Sequence, residues 1–353
     1  MQRPAMTVHA VAVTPGRRAV RGAWLARAGS LRLTLGILPL LAAGVLAAYE
    51  GPAGDYATWV LVVPLALLAG NLLAAVASHP AFRRQGALLV FHLALLALIL
   101  LVAASRLCYL KGTAEVLSGG EFAGLKDREA GPWHRDRTGD LRFESLGFSI
   151  AYRPGLRRSG TENRVRWRDA QGIPREQVVG DQEPLVLDGY RFYTTHHKGF
   201  APVFSWRPGT GTADVGSVHL PAYPEHEHRQ WNEWRLPGLA EPVWVQLAIE
   251  ETVLDPAGPT AFRVPARHHL VVRHGEERVT LRPGEAARLA GGELRYLELR
   301  TWMGYAVFHD WTIPWLLATC VLAIVALAWH VRCKHFSRPW RPEAQAEEKG
   351  MEG

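Results

Sequence analysis

The chain has 353 residues, 48% of them apolar and 21% charged, with a net charge of +7 and a mean hydropathy of −0.03. Averages of this kind describe an ordinary soluble protein of one to three domains, and three cysteines exclude a disulfide-rich secreted scaffold. The apolar residues are unevenly spread, however. Residues 33–49, 57–77, 87–105 and 313–331 contain no Asp, Glu, Lys or Arg. All 73 charges fall in the other 277 residues, a density of about 26%, which is ordinary for a soluble domain. A helix rises about 1.5 Å per residue, so 19 residues reach about 28 Å, close to the hydrocarbon thickness of a bilayer. Four transmembrane helices are predicted, three together and one alone.

Charge placement sets their expected orientation. Six arginines (Arg3, Arg17, Arg18, Arg21, Arg27, Arg32) and no acid precede the first span. Glu50 and Asp55 flank the loop after it, Arg83 and Arg84 lie between spans two and three, and Arg332, Lys334, Arg338 and Arg341 follow span four. Lys and Arg beside membrane ends stay cytoplasmic, so both termini are expected inside and residues 111–309 outside. That outer segment holds 26 basic and 26 acidic residues, and it shows no basic groove of the kind that binds nucleic acid. A cleaved signal peptide over 1–49 fits less well, because its apolar run is long and Leu46-Ala47-Ala48-Tyr49-Glu50 is a poor cleavage site.

The expected organisation is a basic cytoplasmic N-terminus (1–32), three membrane helices (33–109), an extracytoplasmic domain (110–310), a fourth helix (311–331) and a cytoplasmic tail (332–353). The outer domain alternates apolar and polar residues over 148–152, 164–168, 190–195, 203–206, 243–249, 269–273, 278–281 and 294–299. Pro/Gly turns such as Arg153-Pro154-Gly155 and Arg282-Pro283-Gly284 separate them, which argues for an antiparallel all-β domain. Residues 221–234 read as a long polar loop, and the tail beyond Pro342 as short, acidic and disordered.

His92 is the most informative residue for chemistry. It lies five positions inside the third span, in Leu89-Val90-Phe91-His92-Leu93-Ala94, about 7.5 Å from the inner boundary. An imidazole in hydrocarbon needs a partner. A helix–helix hydrogen bond would supply one, and so would haem iron, for which neutral imidazole is a good axial ligand. His330 ends the fourth span, where it can snorkel to the headgroups beside Arg332 or face the same site. His196 and His197 follow the 190–195 strand, and adjacent strand residues point to opposite faces, so one of them at most is expected at a given site. His226 and His228, with His219 nearby, are weak metal candidates without a cysteine or a zinc-like spacing. His309 precedes Asp310-Trp311-Thr312-Ile313-Pro314, a sequence that suits the start of a membrane helix. No Cys-x-x-Cys, Cys-x-x-Cys-His, Walker motif, dinucleotide fingerprint or nucleophile elbow is present.

Three spans, a large β-rich outer domain and a fourth span resemble the ResB (CcsB) family of system II cytochrome c biogenesis. The local matches are Phe91-His92-Leu93, Glu183-Pro184-Leu185 with Tyr190-Arg191-Phe192-Tyr193-Thr194-Thr195-His196, and His309-Asp310-Trp311 through Pro314. The resemblance implies a bacterial inner-membrane subunit, not catalytic alone, that works with a CcsA/ResC-like partner. Together they would move haem b outward and attach it to apocytochrome c, with a thiol reductase system as a further partner in the pathway. It places a transient haem ligand at His92; His196, His309 and His330 are further candidates on their positions in the sequence alone. The partner's Trp-Trp-Asp motif is absent here, and Trp231-Asn232-Glu233-Trp234 does not replace it. The other reading is a structural scaffold that stabilises the partner without touching haem.

Overall fold

The computed structural model describes residues 24–51, 54–180, 182–209 and 211–335. Arg3, Arg17, Arg18, Arg21, Arg338, Arg341 and the acidic tail expected to be disordered lie outside the described residues. The chain divides into a helical unit (Met1–Cys108, Gly131–Trp133 and Trp311–Gly353) and a β unit (Tyr109–Ala130 and His134–Asp310).

Among the described residues, the helical unit has four helices long and apolar enough to cross a membrane: Leu31–Glu50, Asp55–Ser78, Gly86–Cys108 and Ile313–Lys334. They fit the four spans expected from the charge-free runs. Ser30 caps the first, its hydroxyl accepting from the Leu33 amide. A short helix, Pro80–Arg84, joins the second and third, with its proline in the first turn where no N–H is needed. The second helix packs against the first and the third, and the third against the fourth.

Without a hydrophobic drive between apolar helices, close approach and buried polar contacts decide such packing. A Cβ on Gly44 would sit 2.7 Å from the Val60 carbonyl oxygen, so only glycine allows the first two helices to meet there. Asn71, 5% exposed, supplies the polar contact. Its Oδ1 accepts from Thr34 Oγ1 at 2.6 Å, and its Nδ2 donates to the Ala28 carbonyl at 2.6 Å. Asn71→Ala leaves these groups unpaired, and a loss of about 1–3 kcal/mol is expected, readable as a lowered thermal midpoint of the detergent-solubilised chain.

Among the described residues, the β unit is built from three antiparallel sheets. The largest is organised by two long strands, Tyr190–Pro208 and Gly292–His309, paired along most of their length. Leu110–Leu117 pairs with Gly292–His309 on its other side, so the chain enters and leaves the unit at adjacent positions, Leu110 opposite His309. A four-stranded sheet (Trp231–Trp234, Val243–Ile249, His268–His274, Glu277–Leu281) and a five-stranded sheet centred on Glu144–Arg153 and Arg157–Arg168 complete it. Phe200, Phe204, Trp206, Tyr296 and Tyr305 lie at the centre of a continuous apolar core.

Two expectations need correction. The segments 190–195 and 203–206 are the ends of one strand, because the polar stretch between them stays in the ladder through a bulge and does not turn. Residues 221–234 are not all loop. Trp231–Trp234 forms an edge strand on Val243–Ile249, held there as Trp234 stacks on Phe204 with ring centroids 5.4 Å apart. Alternation is hard to see in four residues that are mostly exposed.

Candidate functional site

In the helical unit, His92 is half-buried on the third helix. Its Nδ1 lies 2.8 Å from the Leu88 carbonyl one turn earlier. A carbonyl only accepts, so the neutral ring carries its proton on Nδ1, and Nε2 keeps a lone pair. Phe82 and Phe91 meet the ring edge-on at 4.7 and 5.3 Å, which fixes the plane of the imidazole. An Nδ1–H bonded to a backbone carbonyl, with Nε2 free, is the state in which histidine coordinates a metal. Leu88 also lines a cavity of about 600 Å³ with Arg84, Gly86, Trp329, His330 and Cys333. His330 therefore faces a space bounded partly by the residue that orients His92. Apolar walls with cations at the edge, here Arg84 and Lys334, suit an amphipathic anion.

In the β unit, a cleft of about 470 Å³ is lined by His197, His219 and His226, with Glu115, Lys126 and Trp302. His219 Nδ1 is 2.9 Å from Glu115 Oε2, and Lys126 Nζ is 2.6 Å from Glu115 Oε1. Burial pushes the Glu115 carboxyl up, but the bonds from His219 and Lys126 outweigh it and hold the group below its ordinary value. The carboxylate is thus ionised and can only accept, so His219 donates through Nδ1. The His219 ring stacks parallel on Trp302, 4° between planes and 5.6 Å between centroids. Trp302 is itself fixed by its indole N–H on the Leu220 carbonyl at 3.0 Å.

The bulge explains His197. Lys198 pairs with Met303 and Thr194 with Tyr305, so Thr195, His196 and His197 face Gly304 alone. Thr195 Oγ1 donates to the Gly304 carbonyl at 2.9 Å and accepts the His197 amide at 3.1 Å. The expectation that the two histidines point to opposite faces is therefore wrong: the bulge breaks the alternation and brings their rings to 4.0 Å. Burial, and then the neighbouring His196, hold His197 below the ordinary histidine range, which leaves it neutral at pH 7. Gly304 is required here, since a Cβ would lie 2.9 Å from both the His197 carbonyl and Thr195 Oγ1. Gly304→Ala is expected to cost about 1–3 kcal/mol by overpacking and to separate the two rings, visible as altered His196 and His197 imidazole shifts in NMR.

The chain matches the ResB-like family over residues 69–341. It belongs to the ResB-like family. The match takes in the C-terminal part of the second helix, the third helix, the β unit and the fourth helix, and the family is a membrane-integral part of a cytochrome c biogenesis system. No curated protein matches the chain.

In this ResB-like protein the remaining predicted residues are scattered. His226 lines the β-unit cleft but His228 does not, and both are exposed. Among the described residues no three His, Cys, Asp or Glu side chains come together as a metal site. His309 lies against Tyr190 at 4.6 Å and His134 at 5.2 Å between ring centroids. The Tyr190 hydroxyl is 3.0 Å from His134 Nε2 and accepts the Arg137 amide at 3.1 Å. Burial, and then His134, lower the His309 pKa. Gly189 permits this packing, with φ of +83° and a Cβ position 3.2 Å from His309 Nε2. His134 and Glu115 are the residues that sequence reasoning misses; His197 and His219 are weighed there, but not with these partners. Their partners lie far along the chain, His134 and Tyr190 56 positions apart and Glu115 and His219 104 positions apart.

Proposed function

We propose that this ResB-like protein is the haem-carrying membrane subunit of a cytochrome c synthetase complex. In this reading four helices cross the inner membrane with both termini cytoplasmic, and the β unit lies on the periplasmic side. His92 offers Nε2 to haem iron within the bilayer, and a CcsA/ResC-like partner supplies the second axial ligand. Arg84 and Lys334 at the neighbouring cavity would meet the haem propionates, with His330 beside them. The β unit would present the cargo to apocytochrome c. The observation that carries this reading is the His92 ring, held by the Leu88 carbonyl with its coordinating nitrogen free.

The test is the haem spectrum of the complex purified from membranes. His92→Ala is expected to lose at least tenfold of the haem absorbance, and His92→Gly to regain it with added imidazole. Unchanged haem content and spectrum in both variants would remove His92 from the pathway. The bond to Leu88 also satisfies the buried Nδ1 without any ligand, and that favours one second reading, a scaffold that steadies its partner. Normal partner levels and normal haem attachment in His92→Ala would establish that reading.

A further inference from the structure

We infer that the β unit carries its own haem-iron site, with His219 as the axial ligand and Glu115 as the group that positions it. This rests on the reading of haem as the cargo, and it adds a second holding point in a different unit of the chain.

The His219 ring is restrained at Nδ1 and on one face, and its backbone is held as well. Glu115 holds Nδ1 at 2.9 Å, Trp302 covers one face, and Asn232 Nδ2 holds the His219 carbonyl at 2.9 Å. That leaves Nε2 as the one coordinating atom, on a ring lining an open cleft. A carboxylate behind Nδ1–H is the arrangement that orients a metal-bound imidazole and raises its basicity. An ion pair serving only to tie strand Leu110–Leu117 to the segment after Asp214–Ser217 would not need the parallel indole or a place on the cleft wall.

The surroundings mix apolar, basic and acidic side chains, Asp127 among them, and suit a flat amphipathic group better than a bare metal ion. Three histidines from separate segments reach the cleft, yet no three ligand groups converge on one point among the described residues. Leu220, Pro221, Ala222 and Trp302 give an apolar wall. The volume of about 470 Å³ falls within the range of small-molecule sites. Lys126 is 60% exposed at its side chain, so it can turn from Glu115 towards a carboxylate of the ligand. His197 stands on the same cleft as the candidate for the opposite axial position.

The test is a haemin titration of the full-length detergent-purified chain, followed by Soret absorbance and resonance Raman. Wild type, His92→Ala, His219→Gln and the double variant are compared, with His228→Ala as a control outside the cleft. His219→Gln keeps the side chain's size and a donor towards Glu115, and circular dichroism verifies that the β unit remains folded. His92→Ala is expected to retain one class of bound haem, and the double variant to bind it at least tenfold more weakly. Glu115→Gln is expected to keep haem while raising its reduction potential, a change that mere loss of folding would not produce. If His92→Ala abolishes binding and His219→Gln leaves it unchanged, the cleft is not a haem site and the proposed function stands. If the wild-type chain binds no haemin, both readings fall together.

Discussion

Trp206→Ala is expected to be the most damaging single substitution in the β unit, at about 3–5 kcal/mol. Trp206 is 2% exposed in the middle of the core. It sits in the long strand Tyr190–Pro208, opposite Leu294 on one side and Asp214 on the other. Its indole N–H donates to the Pro237 carbonyl at 3.0 Å, pinning the loop that joins strands Trp231–Trp234 and Val243–Ile249. The ring lies directly over Gly292, where a Cβ would come 2.8 Å from Trp206 Cη2. Truncation removes a large buried surface, opens a void that a β-sheet core cannot easily close, and strands the Pro237 carbonyl.

For a unit of about 200 residues, that loss corresponds to a fall in thermal midpoint of about 6–20 °C. Trp206→Phe separates the contributions, because it keeps part of the ring packing and removes the N–H. A fall of about 1–3 kcal/mol is expected for it. Unfolding of the full chain, followed by near-ultraviolet circular dichroism, measures both. Equal midpoints for wild type and Trp206→Ala would show that this residue is not part of the cooperative core.

The helices and the core strands were legible in sequence for simple reasons. Charge-free runs are costly unless they are buried or in lipid, so they mark helices such as Gly86–Cys108 directly. Alternation marks strands with one wet face, as in Val243–Ile249. His92 stood out because an imidazole interrupts an apolar helix. The residues that build the β-unit cleft carry no such local signal. Glu115 and His219 are 104 positions apart and meet only through sheet pairing. The His196–His197 bulge is set by Gly304 on the partner strand, more than 100 positions further on. Long-range register therefore decides the cleft, whereas local period decides the elements.

Acidification is expected to destabilise the β unit in two steps. His197, His268 and His309 all lie below the ordinary histidine pKa, in each case chiefly through burial. The unfolded chain then takes up protons before the folded one does. Their contribution is complete above about pH 6.5 and is lost as pH falls from there towards the folded values. Each unit of depression is equivalent to about 1.4 kcal/mol for a well-buried group. His268 is the best placed to matter, at 7% exposure. Its Nδ1 donates to the Pro265 carbonyl at 2.8 Å, and its Nε2 accepts from the Tyr296 hydroxyl at 2.7 Å. Burial raises the Tyr296 pKa, so that hydroxyl keeps its proton. A second ring proton would set donor against donor inside the core. The second step lies lower. Glu115 and Asp136 titrate below their ordinary values, Asp136 because bonds from Thr138 and the charge of Arg128 outweigh burial. Their contribution is present above about pH 4.5 and is lost beneath it. Thermal unfolding of the full chain at pH 7.5, 6.5, 5.5 and 4 is expected to show the midpoint falling across both windows. His268→Gln is expected to start lower at pH 7.5 and to fall less between pH 6.5 and 5.5. A wild-type midpoint that stays level from pH 7.5 to 5.5 would mean that the three histidines do not couple to folding, and that the neutral ring of His268 is not what the Tyr296 hydroxyl requires.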